Sequence, residues 1–363
     1  MEEEKRRYVG IDLGKREYTM AIIDRKGKMR IHHGKTSDQG RQTLYKLLEK
    51  GDKVALEAGN LAFITAREIQ ERVGSEVRVL NSAKLPFIWD APTKTDKEDA
   101  MKLAHLVEER RDEKLPIVPL PSEKEIERRK TLASYGRELR NRTRHINTLH
   151  AIFVHQGHTT IVKKNLATAE NRQEAIRLLT GLELEEAEWI LKYLGLHERR
   201  IKELRCKIQK EAKEDEDMRN LQTIPGVGPV VAYAFAAHVG DGSRFSTGAQ
   251  VSNYIGFVPR LDYSGTIQRN GSITKHGNGY LRGLLVQAAW SMVTCKSESS
   301  LKDRYICLTV FGGKGKKKTI VSIGRRLAEL MYYVLRDKSN YEARIWTGRR
   351  EYLTRLKELR NSA

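Results

Sequence analysis

The stretch Tyr8–Gly14, Tyr-Val-Gly-Ile-Asp-Leu-Gly, places an acid near the end of a short apolar run that is typical of a β-strand. A second such run, Val54–Asn60, carries Glu57 near its end. The sequence Asp-Lys-Glu-Asp at Asp96–Asp99 then opens a helical pattern, and its two aspartates, three residues apart, share one helix face. The candidate metal-binding set is therefore Asp12, Glu57, Asp96 and Asp99.

Each acid also has an ordinary structural interpretation. Asp12 could begin a turn, Glu57 could accept hydrogen bonds from the turn that follows it, and Asp96 and Asp99 could favour a helix dipole behind an N-cap at Thr95. Together, however, four carboxylates in one cleft repel one another unless cations neutralise them. Hard oxygen ligands suit Mg²⁺ or Mn²⁺, and a pair of such ions can relieve charge on a phosphodiester. We therefore expect two divalent ions.

The composition points to a polyanionic partner. Lys and Arg outnumber Asp and Glu by 67 to 47, which gives a net charge of +20. The three cysteines are too few and too scattered for a disulfide framework or a zinc knuckle. No apolar run approaches the ~20 residues that span a bilayer. We expect a cytosolic protein that binds nucleic acid.

The order of the predicted elements defines three segments. Strands are expected at 8–13, 18–24, 28–33, 53–58 and 77–80, and helices at 44–48, 63–73 and 97–111, so residues 1–113 form an α/β domain with a mixed sheet. Three prolines between Leu115 and Pro121 exclude a helix there and mark a boundary. Residues 114–217 are expected to be helical, and residues 218–363 to form a mainly α module.

The middle segment has two heptad-like runs. The first is interrupted at one position by Arg142, and the apolar and aromatic positions are Leu132, Tyr135, Leu139, Ile146, Leu149 and Phe153, then Ile190, Leu194, His197, Ile201, Leu204 and Ile208. Two such helices could form a long antiparallel hairpin resembling a coiled coil, a dimer seam, or an ordinary helical core.

In the third segment, Ile224–Pro229 contains Gly226 and Gly228 and precedes an apolar helix, which favours a helix-hairpin-helix that approaches a DNA phosphate. A plain glycine turn before a helix is the alternative. Residues 244–285 are expected to form a Gly- and Ser-rich loop region, followed by helices at 279–294 and about 320–335.

Taken together, these motifs resemble those of the DEDD transposases of bacterial insertion sequences, the RNA-bridged recombinases. The N-terminal match consists of the two acid-bearing strands and Lys94–Ala104. The C-terminal match is longer and runs through Ile224–Gly228, Tyr254–Pro259, Tyr263–Gly265, Ile273–Asn278 and Leu281–Arg282. The resemblance implies a ribonuclease-H-like domain of the RuvC type, followed by a helical linker and a serine transposase module.

In that family the four acids bind metal and a serine in the C-terminal module attacks DNA to give a phosphoserine linkage. The resemblance implies Ser264 for this serine, with Ser272 as the rival, and an ordinary loop serine as the alternative for each. It also implies a structured guide RNA, donor and target DNA, and a synaptic tetramer built as a dimer of dimers. Four basic residues are expected to position phosphates: Arg260, Arg269, Lys275 and Arg282. Solvated surface charge is the alternative for each of them.

Two other functions fit parts of the sequence. A junction-resolving or structure-specific nuclease would use the same acids, with water as the nucleophile, and would not need Ser264. A nucleic-acid-binding scaffold with a degenerate site would need neither, but all four acids are present. We therefore favour the recombinase.

Overall fold

The computed structural model describes residues 6–81, 84, 95–264, 267–297 and 299–342, with the backbone alone at 261–264 and 267–270. The chain divides into two compact units, of which the first ends at Ser122 and the second begins at Glu123. The second unit contains both long helices and the C-terminal module. The division into segments 1–113, 114–217 and 218–363 remains a prediction.

The first unit is an α/β structure built on a five-stranded mixed sheet. Its elements are β1 (Tyr8–Leu13), β2 (Glu17–Ile23), β3 (Met29–Lys35), α1 (Asp38–Leu47), β4 (Lys53–Glu57), α2 (Ala62–Arg72), β5 (Glu76–Leu80) and α3 (Asp96–Glu109). The strand order is β3-β2-β1-β4-β5, with β1–β3 antiparallel and β4 and β5 parallel to β1. The sequence-predicted strands agree with these within two residues, whereas α1 begins earlier than predicted.

Apolar residues are buried on both faces of this sheet. On one face, Val9, Ile11 and Leu56 belong to a cluster with residues of α1 and α2. On the other, Ala21 clusters with Ala100 of α3, and Ala55 clusters with Leu103. The sheet is therefore the middle of three layers, and α3 alone covers much of the second face.

The proline-rich segment extends the edge of the first unit. The Val118 amide donates to the Val79 carbonyl at 2.7 Å, and the Asn81 amide donates to the Pro116 carbonyl at 2.9 Å. The segment is not helical, as its three prolines predict.

The second unit is mainly helical. Its α-helices are α4 (Glu123–His155), α5 (Ala169–Ala175), α6 (Gly181–Glu214), α7 (Glu216–Gln222), α8 (Pro229–Val239), α9 (Gly248–Ile255), α10 (Gly279–Thr294), α11 (Ser300–Ile306) and α12 (Lys316–Arg336). A two-stranded antiparallel hairpin, β6 (Pro259–Ser264) and β7 (Ile267–Ile273), lies between α9 and α10 in the chain. No helix in the described part of the chain is long and apolar enough to cross a bilayer.

The expectation of a loop region at 244–285 before α10 is wrong. Thr247 caps α9 by accepting a hydrogen bond from the Gln250 amide, and Gly256 ends the helix in the left-handed conformation. Several glycines and serines of this region lie inside regular elements, such as Ser252 in α9 and Ser272 in β7, so composition alone did not predict α9 or the hairpin.

The helices α4 and α6 pack against each other within the chain as an antiparallel pair. Their apolar seam is divided between two clusters: Leu132 and Leu204 lie in one, and Phe153 and Leu194 in the other. The hairpin interpretation of the heptad pattern is therefore correct for the single chain.

A polar layer separates the two clusters. Arg142, the exception in the heptad pattern, donates to Glu198 at 3.0 Å, and Arg172, which is 2% exposed, donates to the same carboxylate at 2.7 Å. Burial would raise the pKa of Glu198, but the hydrogen bonds from Arg142 and Arg172 outweigh it and hold the pKa below its usual value. Glu198 of α6 is therefore bonded to both α4 and α5 at this level of the helix pair.

We predict that Arg172→Met lowers the free energy of unfolding by about 2–3 kcal/mol, because it leaves the Glu198 carboxylate half-buried with one cation fewer. Since the folded-state pKa of Glu198 is depressed, its contribution is present above the unfolded value of 4.5 and is lost as the pH falls through the lower folded value. Denaturant unfolding of the full chain at about pH 7 and about pH 4 should show the difference shrinking in acid.

The matched control is Arg177→Met, at an exposed arginine close to Arg172. It should change the unfolding free energy by less than about 0.5 kcal/mol. Equal effects of the two substitutions would show that the buried ion pair contributes nothing specific.

Candidate functional site

The first predicted acids lie at one edge of the sheet in the first unit. In the parallel register of β1 and β4, Ile11 pairs with Leu56, so the next residues, Asp12 and Glu57, are neighbours at the carboxyl ends of adjacent strands. Residues paired in this way point to the same face of the sheet. That face is the one covered by α3, because Gly10 and Ala55, two residues earlier, both lie against it.

The close approach of α3 to β1 depends on Gly10. A Cβ at this position would lie 2.1 Å from the Ala100 carbonyl oxygen and 2.4 Å from the Ala104 nitrogen. No side chain fits there, so the helix rests directly on the strand backbone. Thr19, the residue of β2 that pairs with Asp12, lines one cavity together with Asp96 of α3. Asp12 therefore lies at the end of β1 that is near the first turn of α3.

The first turn of α3 carries the other two acids. Thr95 caps the helix by accepting a hydrogen bond from the Glu98 amide, which confirms its expected cap role. Asp96 is exposed, whereas Asp99 is 3% exposed. The Asp99 Oδ1 atom is buried and has no hydrogen-bond partner among the described residues; the Lys102 Nζ lies 4.0 Å away.

The unpaired Asp99 oxygen shows whether the residues at this site would suit a metal ion. A buried carboxylate oxygen without a partner is costly, and a divalent cation with hard oxygen ligands would satisfy it. Asp12, Glu57, Asp96 and Asp99 thus have the right chemistry for such an ion, and Asp12 and Glu57 are neighbours at adjacent strand ends. Within the described residues, however, no three His, Cys, Asp or Glu side chains form a group that could by itself hold an ion.

The register also brings in two residues that the sequence did not single out. Asp12 pairs with Thr19 of β2, and Thr19 pairs with His33 of β3, so a polar row crosses the sheet on the α3 face. The Thr19 hydroxyl and the His33 Nδ1 are 3.1 Å apart. Only the strand pairing reveals this row, because the three residues are far apart in sequence and none stands in a motif with another.

An open cavity of about 530 Å³ lies beside this row. It is lined by side chains of both signs from β2, β3 and the start of α3, among them Thr19, His33, Lys35, Asp96 and Lys97. The cavity can admit a charged, hydrated ligand next to Asp96, and its lysines suit an anion.

In the second unit, the structure places the predicted serines on the β6–β7 hairpin. Ser264 is the last residue of β6 and pairs with Ile267, whereas Ser272 is exposed on β7, near the other end of the hairpin. The side chain of Ser264 lies outside the described residues. The choice between the two serines therefore stays a prediction.

Two segments that carry the family resemblance, Tyr254–Pro259 and Ile273–Asn278, pack against each other beside the hairpin. Gly256 and Gly277 both have positive φ; a Cβ on Gly256 would lie 1.9 Å from the His276 carbonyl oxygen, and one on Gly277 would lie 2.1 Å from the Tyr254 carbonyl oxygen. Lys275, between them, adopts φ 58°, which is rare for a residue with a side chain. The glycines explain why both segments run backbone against backbone.

Side-chain hydrogen bonds also hold these segments in place. Arg282 donates to the Ile255 carbonyl at 2.9 Å, so one of its N–H groups is used within the protein. Asn278 caps α10 by accepting from the Tyr280 and Leu281 amides, while its amide nitrogen lies 2.9 Å from the His238 Nε2. Burial, with help from Arg129 and Arg244, lowers the pKa of His238 to about 4. The neutral imidazole can therefore accept the hydrogen bond from Asn278 at neutral pH.

The predicted phosphate-binding residues have different surroundings. Lys275 and Arg260 are exposed, Gly228 is the N-cap of α8 with open space beside it, and the side chain of Arg269 is outside the described residues. At Gly226, φ is +83°, and a Cβ would lie 2.5 Å from the Ala288 carbonyl oxygen of α10. This glycine has a packing role whether or not it contacts DNA.

We predict that Gly256→Ala and Gly277→Ala each lower the free energy of unfolding by at least about 2 kcal/mol, since each adds a backbone clash to a positive φ. Thermal or denaturant unfolding of the full chain measures the effect. The control is Gly283→Ala in α10, where a Cβ meets nothing within 4 Å and a helical alanine should stabilise slightly. Wild-type stability in the Gly256 and Gly277 variants would refute the interlock.

Comparisons with known proteins show similarity to transposases. Residues 218–305 match the model of the transposase IS116/IS110/IS902 family. A probable family 20 transposase of Pseudomonas aeruginosa is 28% identical over 314 residues, covering 82% of this chain and 88% of that protein. The transposase for insertion sequence element IS1328 of Yersinia enterocolitica is 26% identical, covering 77% of this chain and 82% of its own.

A third relative differs in its described activity. The pilin gene-inverting protein of Moraxella bovis is 30% identical over 126 residues, which cover 34% of this chain and 38% of that protein. The matched family module contains the interlocked glycine segments, the β6–β7 hairpin and all six predicted phosphate-binding residues. Residues 218–305 therefore match the transposase IS116/IS110/IS902 family, and most of the chain is similar to insertion-sequence transposases.

Proposed function

We propose that this protein cuts and rejoins DNA through a covalent phosphoserine intermediate, with divalent metal bound in the first unit and with a structured RNA as guide. The observation that carries the proposal is the placement of Asp12 and Glu57 side by side, facing the helix turn that bears Asp99, whose buried oxygen lacks a partner among the described residues. A transposase module follows in the same chain.

The strand arrangement supports a RuvC-like identity for the first unit. Three antiparallel strands followed by two parallel ones, in the order β3-β2-β1-β4-β5, fit the ribonuclease-H-like domain that the sequence resemblance implies. An acid on the central strand and one on its parallel neighbour match the positions expected for metal ligands in such a domain.

The proposed ligands are Asp12, Glu57, Asp96 and Asp99. When bound, Mg²⁺ or Mn²⁺ would neutralise charge on the nonbridging oxygens of the scissile phosphate. The chain itself holds the acids in place through the bare backbone of Gly10 and the capped first turn of α3. Thr19 and His33 extend the polar row and would orient water or substrate beside Asp12.

The serine supplies the nucleophile. Its Oγ would attack phosphorus, lose its proton and release a deoxyribose oxygen; attack by the hydroxyl of another strand end would then break the serine–phosphate bond and restore the serine. Ser264 is our first choice and Ser272 the second. His276 and Lys275, which follow the hairpin in the sequence, are candidates to accept the proton, and both are exposed.

Helices α7 and α8, joined by the turn that contains Gly226 and Gly228, support the helix-hairpin-helix proposal. Gly228 has no capping side chain, Pro229 has no N–H, and the Val231 and Ala232 amides donate to the Gly228 carbonyl, so the Val230 amide is the one in the first turn of α8 that we assign to a phosphate. Arg260, Arg269, Lys275 and Arg282 would hold other phosphates, and the net charge of +20 suits both DNA and a guide RNA.

The protein would act as a homo-oligomer, at least a dimer and in synapsis a tetramer. Support comes from apolar side chains on the outer surface of α6: Leu182, Trp189, Tyr193 and Leu196 are 74, 57, 48 and 58% exposed. Exposed apolar residues at helical spacing, on a helix already packed on its other side, suit a second copy of the chain.

We predict a covalent protein–DNA adduct when the full chain is incubated with Mg²⁺, RNA from the flanking region and labelled DNA. Denaturation followed by peptide mass spectrometry should locate phosphate on Ser264, and Ser264→Ala and Asp12→Ala should each abolish the adduct. Ser272→Ala is the matched control on the same hairpin and should retain it.

Phosphate on Ser272 would keep the mechanism and move the nucleophile. A water-using nuclease of the RuvC type makes a different prediction: cleavage would require Asp12 but leave no adduct and survive loss of both serines. That result would overturn the recombinase proposal.

A further inference from the structure

A second groove lies in the helical part of the second unit, outside the residues proposed above. It has a volume of about 590 Å³ and runs along one face of α4 to the start of α10. Six of its eight lining residues carry hydrogen-bond donors, among them Arg140, Arg144, Asn147 and Tyr280, and none is acidic.

The two arginines of the groove differ from the structural arginines of the same region. Arg128 binds Glu211 and Asp215 at 2.6 Å, and Arg142 binds Glu198. Arg140 and Arg144, in contrast, are exposed and have no carboxylate within 4 Å in the described part of the chain. Uncompensated cations side by side repel each other and suit an anionic ligand.

The spacing of the donors fits a linear anion. Arg140 and Arg144 are four residues apart on α4, so they are offset by about 6 Å along the helix, which is comparable to the distance between successive phosphates of a nucleic-acid strand. Asn147 follows three residues later on the same face. Arginine guanidinium groups bind phosphate through two parallel hydrogen bonds.

Tyr280 adds a donor at the side of the groove. Its hydroxyl is buried and lacks a hydrogen-bond partner among the described residues. Burial raises the pKa of Tyr280 to about 12, so the hydroxyl keeps its proton at neutral pH. Gly136 makes room for the ring: a Cβ there would lie 3.2 Å from Tyr280 and 3.5 Å from the Arg140 Nη1. An orphaned donor beside two unpaired cations indicates an acceptor that the chain itself does not supply.

We propose that this groove binds the phosphodiester backbone of a nucleic-acid strand, through Arg140, Arg144 and Asn147 of α4 and the Tyr280 hydroxyl. The inference rests on the proposed function and assigns a surface of the linker helix to substrate or guide. Its open shape and its two arginines suit a backbone better than a small apolar ligand.

The test is fluorescence anisotropy with labelled single-stranded RNA and labelled duplex DNA, using the full chain at several salt concentrations. The double variant Arg140→Ala/Arg144→Ala should weaken binding about tenfold or more near 0.1 M salt. The negative slope of log K against log salt should become shallower by about 1.4 for single strands or about 1.8 for duplex. Tyr280→Phe should weaken binding about threefold without changing that slope.

The matched control is Arg199→Ala/Arg205→Ala, which removes two charges from exposed positions of α6. It should leave the slope within about 0.5 of wild type. A loss with RNA alone, with DNA alone or with both supports the groove and identifies which strand occupies it.

Equal losses in the two double variants would mean that only total charge matters and would overturn the inference. So would wild-type binding in Arg140→Ala/Arg144→Ala. If the wild-type chain bound neither RNA nor DNA, the proposed function itself would fail. Unfolding curves of each variant must match wild type, which Arg140 and Arg144 permit because they have no ion pairs among the described residues.

Discussion

The direct contact between α3 and the backbone of β1 is the constraint on which the candidate site depends. At Gly10 there is no space for even a methyl group, because the Ala100 carbonyl lies 2.1 Å from where its Cβ would be. The strand and helix therefore have one possible spacing, and the acids that flank the contact, Asp12 on the strand and Asp99 on the helix, are directed to the same edge. A larger residue at position 10 would lift the helix and separate them.

Much of this edge can be deduced from the sequence. The apolar runs ending in Asp12 and Glu57 predict strands, and the acidic first turn behind Thr95 predicts a helix start; all three are confirmed. His33 and Thr19 could not be found in that way, because their position beside Asp12 is set by antiparallel pairing between strands. Similarly, the caps at Thr247 and Gly256 convert a Gly- and Ser-rich stretch into a helix that composition does not indicate.

Glycine also allows close backbone contacts in the second unit. Gly226, Gly256 and Gly277 each allow backbone to lie against backbone, so the transposase module is held together at the segments that carry its family motifs. The two long helices are joined by charged groups as well as by apolar ones, because Arg142 and Arg172 both donate to Glu198 in the seam. Arg140 and Arg144 of the same region are exposed. The heptad pattern predicted the seam, but the partners of its arginines depend on residues more than 25 positions away.

The central claim is that the acids at the α3 edge hold a divalent cation, and its most direct test is the effect of Mg²⁺ on the stability of the full chain. Wild type should be stabilised by about 2.7 kcal/mol when free Mg²⁺ is about 100 times its dissociation constant. Asp99→Asn should be at least as stable as wild type without metal and should lose the Mg²⁺ effect, while Glu109→Gln, at an exposed acid of the same helix, should keep it. If Asp99→Asn retains the Mg²⁺ effect, or is strongly destabilised without metal, Asp99 serves as a structural partner of Lys102 and the claim is wrong.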